Sequence, residues 1–146
     1  GTLAMQLFIG GACAGKRDAV RQRFDAPYWH SAHAGSRLEG WRSLTKKSCL
    51  VLEGWECWIG QRLAGEPDDD RLRRAMAREL DALRAWEAEQ GGQAVLILLE
   101  MGRGIVPLGR QNRRLRDLNG WLAQDAAARC ERVWYVWNGL VKSLTL

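Results

Sequence analysis

The hydrophobic pattern of the chain alternates between short continuous apolar runs and longer segments whose apolar residues recur every three or four positions. The short runs are typical of buried strands, and the longer segments predict amphipathic helices. The runs predict strands at residues 5–9, 28–32, 48–53, 94–99, 132–137 and 140–144. The other segments predict helices at residues 17–24, 55–63, 71–90 and 111–129. Strands that alternate with helices predict an α/β fold with a mostly parallel sheet covered on both faces.

Two segments show this pattern most clearly. In the predicted helix 71–90 the apolar side chains form one stripe, which indicates core packing, and the acidic run 68–70 is suited to cap its start. Near the end of the chain, Asn138-Gly139 separates two apolar runs. This dipeptide favours a tight hairpin turn, so we predict an antiparallel edge strand. Residues 33–44 are polar and contain glycine, and we predict a loop there with one helical turn.

Composition limits the class of protein. A chain of 146 residues, 47% hydrophobic and 27% charged, fits one globular domain. No apolar run approaches the roughly 20 residues of a membrane span, and no secretory signal is evident, so a cytoplasmic location is expected. The four cysteines form no C-x-x-C pair and have no histidine at ligand spacing, which predicts buried free thiols.

The net charge of +5 and eight tryptophans would also suit a nucleic-acid binder. The arginines are spread along the chain, however, and no RNA-binding signature such as an aromatic RNP motif is evident. Nucleic acid therefore remains the weaker alternative.

A glycine-rich turn directly follows the first predicted strand. The spacing Gly10-x-x-x-x-Gly15-Lys16 is that of a loop that cradles phosphate at the start of a helix, with the lysine facing the outer phosphates. We predict nucleotide binding by Gly10, Gly11, Ala12, Cys13, Ala14, Gly15, Lys16 and Arg17. The alternative is a turn that only connects strand and helix.

The residue after the lysine is unusual for a phosphate-binding loop. The pattern requires Ser or Thr, whose hydroxyl holds magnesium, but the chain has Arg17, which cannot ligate a cation. Glu53 and Glu100 each close a buried strand and are the candidate magnesium partners. We place the strand of Glu53 beside the phosphate loop; the alternative is a glutamate that faces solvent.

A second glycine-rich stretch lies near a cluster of arginines. Residues 101–107 follow a predicted strand, at the sheet edge where α/β proteins bind ligands. Four positive charges lie at the start of the next helix, where they oppose the helix dipole: Arg110, Arg113, Arg114 and Arg116. A bound anion would offset this unfavourable interaction. The candidate substrate or phosphate contacts are Gly102, Gly104, Arg113 and Arg116. A solvated basic face is the alternative.

These stretches together resemble a known family. The segments that carry the resemblance are GGACAGKR at 10–17, EMGRGIVP at 100–107, NRRLRDLNG at 112–120 and ERVWYVWNG at 131–139. They are similar to the bifunctional adenosylcobinamide kinase/adenosylcobinamide-phosphate guanylyltransferases of cobalamin biosynthesis. The resemblance implies a P-loop NTPase-like three-layer sandwich in one domain, residues 1–146. It also implies GTP or ATP with Mg²⁺, a corrinoid substrate and a homotrimer.

The resemblance also implies a guanylylated histidine. The family's histidine lies in or just before a His-x-x-x-Arg-x-x-x-Trp pattern, which His33, Arg37 and Trp41 match. His33 is therefore the candidate GMP acceptor and Arg37 a candidate nucleotide contact. The alternative is a loop histidine without a catalytic role.

The chain departs from the family in length and at single positions. Family members are longer, and the missing part is expected between the second strand and His33. Arg17 replaces the family's Ser or Thr, and Ala123 replaces an Asn. The alternative to an active kinase and nucleotidyltransferase is thus a catalytically impaired nucleotide-binding relative, in which Arg17 replaces the charge of the metal.

Overall fold

The computed structural model describes residues 4–44, 48–101 and 109–145 of the chain. The strands are β1 (Gln6–Gly10), β2 (Tyr28–Ser31), β3 (Cys49–Glu53), β4 (Gln93–Leu99), β5 (Arg132–Trp137) and β6 (Leu140–Ser143). The α-helices are α1 (Lys16–Arg23), α2 (Trp55–Leu63), α3 (Asp69–Gln90) and α4 (Arg110–Arg129). These elements confirm the predicted ones, with bounds that differ by at most two residues.

The strands form a six-stranded sheet in the order β2-β3-β4-β1-β5-β6. All neighbours pair in parallel except β5 and β6, which pair antiparallel through the turn at Asn138-Gly139. The predicted α/β class with an antiparallel edge hairpin is confirmed. One placement was wrong: β4 lies between β1 and β3, so the strand of Glu53 is not a direct neighbour of the strand that leads into the phosphate loop.

The two faces of the sheet are covered unequally. One face packs against α2, α3 and α4, and this cluster contains the fully buried Trp55 and Trp58. On the other face, α1 is the only described helix that contributes to the buried cluster, with Ala19 and Val20. The prediction of helices on both faces is correct, but in the part of the chain that the structure describes the second layer consists of one eight-residue helix.

The segment after β2 is more ordered than predicted. It contains two 3-10 helices, Ala32–Ala34 and Leu38–Ser43, in which Leu38 and Trp41 are buried. The indole Nε1 of Trp58 donates to the carbonyl of Ser36 at 2.8 Å, which ties this segment to α2. The segment that carries His33 is therefore fixed to the core.

Arg114 holds three helices together. Its side chain is buried, and its Nε donates to Asp69 Oδ1 at 2.7 Å, at the start of α3. Its Nη atoms donate to the carbonyls of Leu63 at 3.0 Å and Glu66 at 2.5 Å, after α2. This arginine of the basic cluster at the start of α4 is thus neutralised inside the protein.

The cysteines are free thiols, as predicted. Only Cys49 is buried, however, whereas Cys57 and Cys130 are half-buried and Cys13 is exposed. Within the described ranges, no helix combines the length and the apolar character that crossing a membrane requires.

Candidate nucleotide-binding site

A cavity of about 840 Å³ opens at the carboxyl edge of the sheet, within the size range of small-ligand pockets. Four separate segments converge on it: the phosphate loop with the start of α1, the turn after β2, the end of β3 with the start of α2, and the end of β4. The charged and polar residues among its lining are Lys16, Arg17, Asp18, Arg21, Ser31, His33, Glu53 and Glu56. The cavity thus combines the predicted phosphate loop and the predicted acceptor histidine.

The phosphate loop owes its shape to its glycines and its lysine. Gly15 has φ +97°, a conformation that favours glycine, and directly precedes α1. A Cβ on Gly10 would lie 2.2 Å from the carbonyl oxygen of Val136, so only glycine fits where β1 passes β5. Lys16 Nζ donates to the carbonyls of Gly10 at 3.0 Å and Gly11 at 2.5 Å. The ammonium therefore lies over the loop and closes it.

Lys16 is in an environment that favours an incoming anion. Burial lowers the pKa of its ammonium group, and the negative charge of Glu56 partly opposes this effect. A phosphate at the loop would stabilise the charged form in the same way.

The final hairpin supports the phosphate loop from outside. The N–H of Gly139 donates to the carbonyl of Ala14 at 2.8 Å. Asn138 and Gly139 both have positive φ, at 48° and 78°, as in the tight hairpin turns that join antiparallel strands. The sequence predicted the hairpin, but its contact with the loop depends on β5 lying next to β1.

Arg17 makes the most distinctive contact of the cavity. Its Nη2 lies 2.8 Å from Glu53 Oε1, and the Glu53 side chain is only 7% exposed. The guanidinium carbon also lies 4.8 Å from the ring centroid of Trp29. Glu53 is thus not the solvent-facing residue of the alternative, because it is buried and paired with a cation.

Glu100 lies at the end of β4, next to the start of the phosphate loop. Its N–H donates to the carbonyl of Gly10 at 2.8 Å, and its Oε2 accepts from the hydroxyl of Tyr135 at 2.6 Å. Because Glu53 is paired to a guanidinium and position 17 has no hydroxyl, these ligand groups differ from those that hold magnesium beside a phosphate loop. The assignment of Glu53 and Glu100 as magnesium ligands stays a prediction.

His33 lies in the first 3-10 helix, where the Oγ of Ser31 accepts from its N–H at 3.1 Å. Its Nε2 lies 3.9 Å from Glu56 Oε1, and its Nδ1 lies 3.8 Å from Cys57 Sγ. The close approach of the His33 segment to the start of α2 requires glycine at position 54, since a Cβ there would lie 2.7 Å from the Cβ of Ala32. The imidazole is exposed and lines the cavity.

The ligand atoms of His33, Glu56 and Cys57 lie within 4.8 Å of one another. Nitrogen, oxygen and sulfur donors suit zinc better than magnesium. Burial, with Glu56 adding to it, raises the pKa of the Cys57 thiol. The sequence did not reveal this group, because His33 and Cys57 are 24 positions apart and come together only in the folded chain, where Gly54 packs on Ala32.

Arg37 and Trp41 of the histidine pattern have different surroundings. Arg37 is exposed, and its side chain does not line the cavity, whereas its carbonyl accepts from His30 Nε2 at 2.6 Å. Trp41 belongs to the core. Both residues therefore help to fix the segment that carries His33, and the nucleotide contact of Arg37 stays a prediction.

The remaining candidates lie apart from the cavity or outside the described residues. Arg113 is exposed, and Arg116 Nε donates to Asp117 Oδ1 at 3.1 Å. Neither lines the cavity. Gly102 and Gly104 lie outside the described residues. These four contacts stay predictions.

The fold and the site define the class: a P-loop NTPase-like α/β protein whose glycine-rich loop joins the first strand to the first helix. The family model for cobinamide kinase / cobinamide phosphate guanyltransferase matches residues 17–144, and the chain belongs to this family.

Two relatives named as bifunctional adenosylcobalamin biosynthesis proteins support the family assignment. The chain is 32% identical to the bifunctional adenosylcobalamin biosynthesis protein CobP of Pseudomonas aeruginosa over 166 positions, which cover 92% of this chain and 93% of that protein. It is 35% identical to the bifunctional adenosylcobalamin biosynthesis protein CobU of Salmonella typhimurium over 83 positions, 53% of this chain and 46% of that protein. The first alignment is longer than the 146 residues of this chain, so CobP has residues without a counterpart here.

Proposed function

We propose that this protein is a nucleotide-dependent transferase of cobalamin biosynthesis. It uses GTP or ATP to phosphorylate a cobinamide-type corrinoid and then transfers GMP to the product by way of His33. The observation that carries the proposal is the position of the His33 imidazole in the same cavity as Lys16 and the phosphate loop. A phosphate-binding element and a nucleophile facing one cavity meet the basic requirement of nucleotidyl transfer.

The transfer to histidine follows from this arrangement. A lone pair on a neutral ring nitrogen attacks the α-phosphorus of GTP, the bond to the β-bridging oxygen breaks, and pyrophosphate leaves with that electron pair. The imidazole is then positively charged, and the Glu56 carboxylate, 3.9 Å from Nε2, stabilises that charge. A phosphate oxygen of the corrinoid next attacks the same phosphorus and breaks the nitrogen–phosphorus bond, which restores the imidazole.

A second candidate function is nucleotide binding without turnover. The Arg17–Glu53 ion pair favours it, because the pair lies where a magnesium ion would assist phosphoryl transfer. Kinase activity would suffer first, since the transferred γ-phosphoryl group depends on that ion most. Nucleic-acid binding remains the weaker alternative, and competition with GTP across salt concentrations tests it.

Incubation with GTP labelled at the α-phosphate tests the transferase directly. We expect acid-labile label on the wild-type protein and none on His33→Ala. Cys57→Ser is the matched control, because its thiol is a second nucleophile 3.8 Å from the imidazole. Label that persists in His33→Ala, or that disappears in Cys57→Ser alone, would overturn the assignment of His33.

A further inference from the structure

We infer that the Arg17 guanidinium takes the place of the divalent cation in this cavity, so that the site binds a nucleoside triphosphate free of metal. The inference rests on the proposed nucleotide site and specifies the form of its ligand. It starts from a disagreement between the family pattern and this chain. A magnesium site at this loop needs a hydroxyl at position 17 and a carboxylate that is free to bind the ion. In this chain position 17 is an arginine, and the Glu53 carboxylate is paired with that arginine.

The Arg17–Glu53 pair disfavours a second cation at Glu53. Glu53 Oε1 lies 2.8 Å from Arg17 Nη2, and the carboxylate is almost completely removed from solvent. A magnesium ion at Glu53 would have to displace the guanidinium or share one buried carboxylate with it. The first route removes the cation that neutralises a buried carboxylate, and the second places two cations next to each other at one carboxylate.

Trp29 holds the guanidinium in position. The guanidinium carbon of Arg17 lies 4.8 Å from the Trp29 ring centroid, and that of Arg21 lies 5.1 Å from it. Stacking on an aromatic face restricts a long side chain and favours its charged group. All three residues line the cavity. Arg17 is therefore held by two independent contacts, as a structural cation would be.

A guanidinium group can bind a carboxylate and a phosphate at the same time. Its five N–H donors lie in one plane, so one edge can hold Glu53 while the remaining donors face phosphate oxygens. Lys16, the preceding residue, supplies a second positive charge to the same cavity. Lys16 and Arg17 thus supply the positive charge that a lysine and a bound magnesium ion supply in the usual phosphate-binding loop.

Calorimetric titration of the full chain with GTP, in EDTA and then in magnesium, tests the inference. We expect the wild-type protein to bind GTP in EDTA at least as tightly as in magnesium. Arg17→Ser should lose about tenfold in affinity in EDTA, the loss expected for one charge-assisted hydrogen bond, and regain affinity when magnesium is added. Wild-type binding that is about tenfold weaker in EDTA than in magnesium would overturn the inference.

Two further variants keep the result interpretable. Arg23→Ser removes the same charge from the same helix, but Arg23 does not line the cavity, so its binding should match the wild type in both buffers. Glu53→Gln keeps the shape of the side chain but removes the charge that holds Arg17, so any change in GTP affinity should be equal in EDTA and in magnesium. If Glu53 held magnesium instead, this variant would lose affinity only when magnesium is present, and the inference would fall.

The binding and labelling experiments separate the two proposals. Metal-free GTP binding without label on His33 would leave the inference standing and overturn the transferase. Label on His33 with strictly magnesium-dependent binding would do the reverse. A wild-type protein that binds no GTP in either buffer would overturn both.

Discussion

Glu87 is a buried carboxyl in the last turn of α3. Its Oε2 accepts from the N–H of Ala94 at 2.7 Å, the second residue of β4. Burial raises the pKa of this carboxyl from 4.5 to about 7. Between pH 4.5 and about 7 the folded protein keeps a proton on Glu87 that the unfolded chain has already released. The free energy of unfolding therefore falls as pH rises through that window.

Glu87→Gln should remove this pH dependence, because the amide cannot ionise and still offers an oxygen to Ala94. The free energy of unfolding of the wild type should fall relative to Glu87→Gln by about 2 kcal/mol as pH rises from 5 to 8. Denaturant unfolding at several pH values measures this difference. Glu89→Gln, at an exposed position of the same helix, should follow the wild type. A constant difference between wild type and Glu87→Gln would contradict the account.

Single residues also show how far the sequence could predict the site. Lys16 was predicted from the local spacing of glycines and lysine, whereas His33 was a candidate only through the pattern of the family that the chain resembles. The contacts of His33 with Glu56 and Cys57, and of Arg17 with Trp29, were not predicted. These contacts join segments that meet only when the carboxyl ends of β1 to β4 lie along one edge of the sheet, and no local pattern encodes that approach.

Among the elements, the β5–β6 hairpin has a role beyond closing the sheet. Its turn donates the Gly139 N–H to the carbonyl of Ala14, and a Cβ on Gly15 would lie 3.4 Å from the Gly139 Cα. The phosphate loop thus rests directly on the turn, and the turn needs a residue with positive φ at position 139.

Gly139→Ala should weaken GTP binding several-fold. A side chain at φ +78° costs about 1–2 kcal/mol, and relief of that strain would move the N–H away from Ala14. Gly120→Ala is the matched control, because it lies in α4 with open space around it and should leave binding unchanged. Calorimetry compares the two variants. Equal GTP affinity in Gly139→Ala and wild type would show that the turn does not position the loop.

The bounds of the elements could be predicted because their signals are local. Asp68 caps α3 by accepting from the N–H groups of Asp70 and Arg71, and Gly91 ends the helix with φ +68°. The strand order could not be predicted in the same way. The place of β4 between β1 and β3 depends on how the helical connections cross the sheet, and the runs of apolar residues are alike in all three strands.

At the scale of the whole molecule, the sheet has one well-covered face and one covered by α1, and its hairpin edge exposes large apolar side chains. Trp137 is 62% exposed, Leu140 68% and Leu144 54%. Apolar groups clustered at one edge are typical of a surface that another chain covers. The homotrimer implied by the family resemblance would use such a surface.

We predict a homo-oligomer that depends on this edge. Light scattering should give the mass of a trimer for the wild type, and the double variant Trp137→Ser/Leu140→Ser should give a smaller species. Lys142→Ser, at an exposed polar position of the same strand, should keep the wild-type mass. A monomeric wild type, or a double variant of unchanged mass, would contradict the prediction.

The position of the GMP adduct on the chain tests the catalytic role of His33. The chain has two histidines, and both lie in the segment from Phe24 to Arg37, between the two arginines at which trypsin would cleave. His30 is buried and donates to the carbonyl of Arg37, whereas His33 faces the cavity. After incubation with GTP, with and without magnesium, fragmentation of this peptide in a mass spectrometer should place GMP on His33. GMP on His30, GMP on another peptide, or no adduct at all would contradict the account.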